Sequence, residues 1–155
     1  MIVIDYKMKF EPCYYREKTV DHYGKRGISW HGAMVSYYEM EDINGVQSPV
    51  LHKIYLDHII DNENKQDVTA VFAVLEAVLM RIKEILPNVK TVYLQSDNAG
   101  CYQNSSMLFI LPHLSYVHGI YVRRFIHTET QDGKSVLDAH FARSSQIVYD
   151  YCKKG

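Results

Sequence analysis

Three aspartates have types and positions that suit one shared task. Asp5 lies inside the first apolar run, Asp97 closes a later one, and Asp138 opens the last amphipathic stretch. Asp97 ends the run Thr91-Val92-Tyr93-Leu94-Gln95-Ser96 and is followed by Asn98-Ala99-Gly100. An acid at the carboxyl end of a strand, before a tight turn, faces the crevice where open α/β sheets bind ligands. Three carboxylates in one place repel one another, and the cluster is costly unless a cation neutralises it. Hard oxygen donors favour Mg²⁺ or Mn²⁺ over zinc. Two such ions would activate a water or a 3′-hydroxyl and stabilise the leaving oxygen of a phosphodiester.

The elements that must position these acids follow from periodicity. Ile2 to Phe10 alternates, with Ile2, Ile4, Tyr6 and Met8 on one side and Val3, Asp5, Lys7 and Lys9 on the other. A solvated Asp–Lys pairing on that second face is the plain alternative to a site at Asp5. Glu11 to Gly27 is a charged connection. Strands are expected over Ile28–Glu41 and Val50–Ile60, with a turn at Asn44-Gly45 and Pro49 limiting where the third strand starts. Asp67 reads as the cap of a helix over Val68–Leu86, stopped by Pro87. A strand over Thr91–Gln95 precedes a helix over Tyr102–Tyr116, which Pro112 should kink. The fifth strand spans Ile120–His127. The last helix, capped by Asp132, buries Leu137, Phe141, Val148 and Tyr151, and Asp138 flanks that stripe. The predicted fold is α/β: three antiparallel strands, then alternating β and α units, giving a five-stranded mixed sheet flanked by helices.

The bulk numbers set limits. A chain of 155 residues makes a single domain, 1–155, able to bury a real core. Its net charge of −1 supplies no global field for nucleic acid, so any such contact needs local patches. The 13 tyrosines suit half-buried strands, with base stacking as the alternative. Cys13, Cys101 and Cys152 form no C-x-x-C pair, which argues against a structural zinc knuckle and for a reducing compartment. The longest apolar segment, Val68 to Leu86, carries Glu76, Arg81, Lys83 and Glu84 and does not read as a membrane span. A chain that begins directly on a strand reads as a domain excised from something longer.

The element order and the three acids resemble the ribonuclease H-like fold, and within it the catalytic domains of DDE/DDD transposases and retroviral integrases. The best local match is Ser96-Asp97-Asn98-Ala99-Gly100-Cys101-Tyr102, similar to the integrase strand-end pattern of Asp-Asn-Gly followed by an aromatic. Asp5 matches the first-strand acid of that family. Gly133-Lys134-Ser135-Val136-Leu137-Asp138 is similar to a Gly-Lys-x-x-x-Asp stretch of transposon-derived animal proteins. The resemblance covers nearly the whole chain as architecture. It implies a polynucleotidyl transferase core that cleaves DNA and joins strands. Two Mg²⁺ or Mn²⁺ ions would be held by Asp5, Asp97 and Asp138. It also implies DNA as partner, a homo-oligomer during transposition, and location in the nucleus of a eukaryote or otherwise the cytoplasm.

This sequence departs from the family in two ways. The third acid is Asp where most such enzymes carry Glu, and Glu129 and Asp132 compete with Asp138 for the role. No separate DNA-binding domain is recognisable, so one is expected elsewhere in the full-length protein. Candidate nucleic-acid contacts are Asn98, Lys134, Arg143 and the Lys25-Arg26 loop tip, with Lys153 and Lys154 along the same helix as Arg143. Turn chemistry at Asn98 and solvated helix faces account for the same residues. His140 sits one turn from the acids as an assistant or as a packed side chain. Two rivals stand beside the transferase: a nuclease on the same fold, and a domesticated binding or scaffold domain without catalysis.

Overall fold

The structure, a computed structural model, describes residues 1–10, 27–60, 66–128 and 136–154, without the side chains of 8, 9, 153 and 154. Among these residues the order is β1 (Ile2–Phe10), β2 (Ile28–Ile43), β3 (Val46–Ile60), α1 (Val68–Ile85), β4 (Thr91–Asp97), α2 (Met107–His118), β5 (Tyr121–Thr128) and α3 (Val136–Lys154). The strands form one mixed sheet in the order β3-β2-β1-β4-β5. β1 pairs antiparallel with β2 and parallel with β4, so the two strands that carry Asp5 and Asp97 are neighbours.

Alternation gives the sheet two different faces. Ile2 and Ile4 of β1, Ala33 and Val35 of β2, and Val92 and Leu94 of β4 point to one side. There they pack on Val71, Leu75, Val78, Leu79 and Ile82 of α1 and on Met107 and Leu114 of α2. Asp67 caps α1, its Oδ1 accepting from Ala70 N at 3.0 Å. The other side carries Trp30 and Met34 of β2, which pack with Leu137 and Phe141 of α3 and with Val3 and Tyr55.

α3 can lie close to the sheet because β2 has a glycine under it. A Cβ on Gly32 would meet the Phe141 ring at 2.6 Å and 2.7 Å and the Leu137 side chain at 3.1 Å. Gly32 lies opposite Asp5 on one side and Asp57 on the other, so the α3 contact is made in the row that holds Asp5. Gly32→Ala is expected to cost about 1–3 kcal/mol through overpacking, read as a lower urea midpoint.

Several boundaries differ from the periodicity. β2 and β3 run to Ile43 and from Val46, because Asn44 (φ 57°) and Gly45 (φ 83°) close a two-residue hairpin. Pro49 fits inside β3, opposite Met40, because β3 is an edge strand. β4 continues through Ser96 to Asp97, placing the acid on the strand end itself. α2 starts at Met107 rather than Tyr102, since residues 99–106 are spent on turns. It runs through Pro112, an exposed position one turn after exposed Leu108, where the carbonyl left without a partner can meet water. The predicted α3 stripe is corrected in its second half. Val148 is 39% and Tyr151 81% exposed, whereas Ser145 is buried and Tyr149 stacks on Phe10. The helix keeps one face on the sheet by i+4 steps, 137-141-145-149, and 148 and 151 rotate off it.

Candidate functional site

Asp5 belongs to the α3 face of the sheet, between Val3 and Lys7. The parallel pair Val3–Gln95 fixes the register, and two residues further along both strands stand Asp5 and Asp97, on the same face. Burial in β4 agrees: Val92, Leu94 and Ser96 are buried while Asp97 is only half-buried. Asp97 is held by local chemistry. Its Oδ1 accepts from Ala99 N at 3.1 Å, an Asx turn that reverses the chain just past the strand. The Ser96 hydroxyl lies 2.9 Å from the Asp97 carbonyl oxygen and 3.1 Å from His127 Nδ1, and Thr128 Oγ1 donates to the Ser96 carbonyl at 3.1 Å. The strand end is thereby tied to β5.

Asp138 lies in the first turn of α3, next to Leu137, which is fully buried over Gly32. Its own side chain is exposed, where the amino end of the helix favours a negative charge. The Asp5 carboxyl feels the other two. Burial and the charges of Asp97 and Asp138 push the Asp5 carboxyl up to about 7, while a hydrogen bond with the Tyr6 backbone pulls the other way. Lys7 does not answer this charge as an Asp–Lys pair would. Its Nζ donates to Ser145 Oγ at 2.5 Å and lies 4.9 Å and 5.1 Å from the Phe10 and Trp30 rings.

A raised acid pKa fixes the sign of a pH dependence. Above the unfolded value near 3.8 the native state retains a proton that the unfolded chain has released, so stability falls as pH rises toward 7. Asp5→Asn removes that penalty. After discounting for solvent screening it is expected to stabilise the metal-free protein by about 1–2 kcal/mol at pH 8, with the gain vanishing near pH 4. Urea unfolding at a series of pH values reads this directly.

A fourth acid on this face has no counterpart in the sequence reading. Asp57 of β3 shares its row with Gly32 and Asp5. Its Oδ1 accepts from Trp30 Nε1 at 2.8 Å, and its Oδ2 lies 2.8 Å from His140 Nε2. His140 also stacks on Tyr55, centroids 4.3 Å apart. His140 is therefore engaged in pinning α3 to β3. Of the expected nucleic-acid contacts, Asn98 and Arg143 are exposed, and Asn98 Oδ1 accepts from Gln103 Nε2. Lys25, Arg26, Glu129, Asp132 and Lys134 lie outside the described residues.

An oxygen-only set of three mutually repelling carboxylates suits a hard divalent cation in kind. As placed, no three His, Cys, Asp or Glu side chains among the described residues converge closely enough to hold an ion. The site is an electrostatic field centred on Asp5, to which Asp97 and Asp138 contribute. No helix among these residues is long and apolar enough to cross a membrane.

The model of a family described as "Domain of unknown function (DUF8701)" matches residues 1–154, and the chain belongs to that family. No curated protein matches the sequence.

Proposed function

We propose that this domain has a ribonuclease H-like fold and is the catalytic core of a metal-dependent polynucleotidyl transferase, of the transposase and integrase kind. The observation that carries the reading is the parallel β1–β4 register, which sets Asp5 and Asp97 on the same sheet face that α3 crosses, with burial and the charges of Asp97 and Asp138 raising the Asp5 carboxyl there. Three acids from β1, β4 and α3 in one field are costly without a counter-charge, and sites tuned in this way are where function concentrates. Strand order and the parallel β1–β4 pair support the fold part of the proposal.

In this reading Asp5, in the middle of β1, and Asp97, at the end of the neighbouring β4, would hold Mg²⁺ or Mn²⁺, and Asp138 would complete the set from the helix. When bound, the ions supply activation of the attacking oxygen and stabilisation of the leaving one. The protein's own task is positioning. The Asx turn fixes Asp97, the sheet register fixes Asp5, and the Leu137–Phe141 contact over Gly32 sets where α3 presents Asp138. Asn98, exposed beside Asp97, is the proposed phosphate contact. DNA is the proposed substrate, a homo-oligomer the proposed working form, and the nucleus the proposed location in a eukaryote.

The test is a cleavage and joining assay on labelled DNA duplexes with Mg²⁺ or Mn²⁺, with Asp97→Asn as control. Joined products that depend on Asp97 support the transferase. Cleavage without joining supports the nuclease. Neither activity, with DNA binding unaffected by Asp97→Asn, supports a scaffold.

A further inference from the structure

β2 and β3 run on past the rest of the sheet. The first pairing of β1 with β2 is Ile2 with Val35, and Ser36 N donates to the Met1 carbonyl oxygen at 2.8 Å just beyond it. From there residues 37–43 and 46–52 form a two-stranded ribbon, with no third strand beside it among the described residues. It leaves the sheet at the end opposite to the Asp97 turn. A two-stranded hairpin is marginally stable in water and gains stability when one face is packed.

The two faces of the ribbon differ. Alternation puts two adjacent cross-strand pairs, Tyr38–Leu51 and Met40–Pro49, on the α3 side of the sheet. All four residues are exposed, Tyr38 by 70% and Met40 by 58%. Lys53 stands in the next row toward the sheet and Asp42 in the next row toward the turn, both exposed. Asp42 is pinned there, its Oδ1 accepting from Gly45 N at 2.6 Å. The other face carries Glu39 and Glu41, and on it Tyr37 stacks on His52.

This chemistry selects the partner. Three acids against one lysine over residues 36–53 disfavour a nucleic-acid backbone or an anionic membrane. Pro49 and Lys53 on the edge strand disfavour the addition of another strand. Along the exposed face the rows read cationic, apolar, apolar, anionic, an order complementary to itself when reversed. A two-fold axis across the strands, between the two apolar rows, lays each apolar row on the other row of a second copy. The same axis brings Asp42 beside Lys53 of the partner subunit, twice.

We propose that this face of the ribbon is a homodimer interface, taking the same face of a second copy of this chain in reversed orientation. The contact would serve the homo-oligomer of the transferase reading. Its use rests on that reading, but its formation does not.

Sedimentation equilibrium of the 155-residue chain, loaded at about 1 to 100 μM, tests it. A reversible monomer–dimer equilibrium is expected. Met40→Lys charges the apolar rows at an exposed position and should weaken the dimer at least about tenfold with the melting curve retained. Lys53→Glu should weaken it as well. Adding Asp42→Asn to Lys53→Glu should recover part of that loss, because the facing acid is gone while Asn still accepts from Gly45 N. Glu39→Lys, on the other face, should leave the dimer unchanged. A monomer at every concentration would overturn the proposal. So would a dimer indifferent to Met40→Lys, or one weakened as much by Glu39→Lys. The readout is mass, so a dimer that neither binds Mn²⁺ nor cuts DNA supports this interface while the transferase reading falls.

Discussion

Replacing Asp97 by Asn is expected to lower divalent-metal-dependent cleavage or joining of DNA at least about a hundredfold, with the fold retained. Asn keeps the size of the side chain and an oxygen that can accept from Ala99 N, so the Asx turn survives. What it removes is a charge. Asp97 is the first of the two carboxylates that raise the pKa of Asp5, so Asp97→Asn should also let Asp5 ionise at lower pH. Activity loss together with a lower Asp5 pKa, read by carboxyl ¹³C shifts, separates an electrostatic role from simple damage. Unchanged activity would remove Asp97 from the site.

Phe141→Ala is expected to cost about 3–5 kcal/mol. Phe141 is almost fully buried, packs edge-on to Trp30 at 5.6 Å, and fills the space that the missing Gly32 side chain leaves. Gly32 has no atoms with which to close the cavity, so the helix must shift or the gap remain. Either result loosens the segment that presents Asp138. The variant should therefore lose function beyond the loss in folded fraction, whereas Ser145→Ala, further along the same face, should not. Urea unfolding measures the first effect and specific activity per folded molecule the second.

Much of the architecture was legible because it rests on local pattern. The alternation Ile2, Ile4, Tyr6 against Val3, Asp5, Lys7 gave β1 its two faces, and the spacing from Val71 to Ile82 gave α1 its buried stripe. Asp97 stood out because an apolar run stops at it and turn residues follow. What stayed hidden depends on register across strands. Nothing in the chain near Asp57 indicates that Gly32 aligns it with Asp5, or that Trp30 and His140 take up its two oxygens. Nothing in the sequence around Gly32 identifies the ring that approaches it, Phe141, because that requires the helix to be placed. Lys7 alternates onto the face of Asp5, yet it reaches along the strand to Ser145 and two aromatic rings. Val148 and Tyr151 were misplaced because periodicity locates an apolar stripe without showing where the sheet beneath it ends.

The central claim is that Asp5, Asp97 and Asp138 share one field that a hard cation completes. Calorimetric titration of Mn²⁺ at pH 8, into the native protein and into Asp5→Asn, Asp97→Asn and Asp138→Asn, tests it most directly. Saturable binding is expected in the native protein, weakened in all three variants. Affinity should fall about tenfold per pH unit once pH drops below about 7, where Asp5 takes up its proton. Binding of equal strength in all four proteins, or a native affinity indifferent to pH between 8 and 6, would contradict the account.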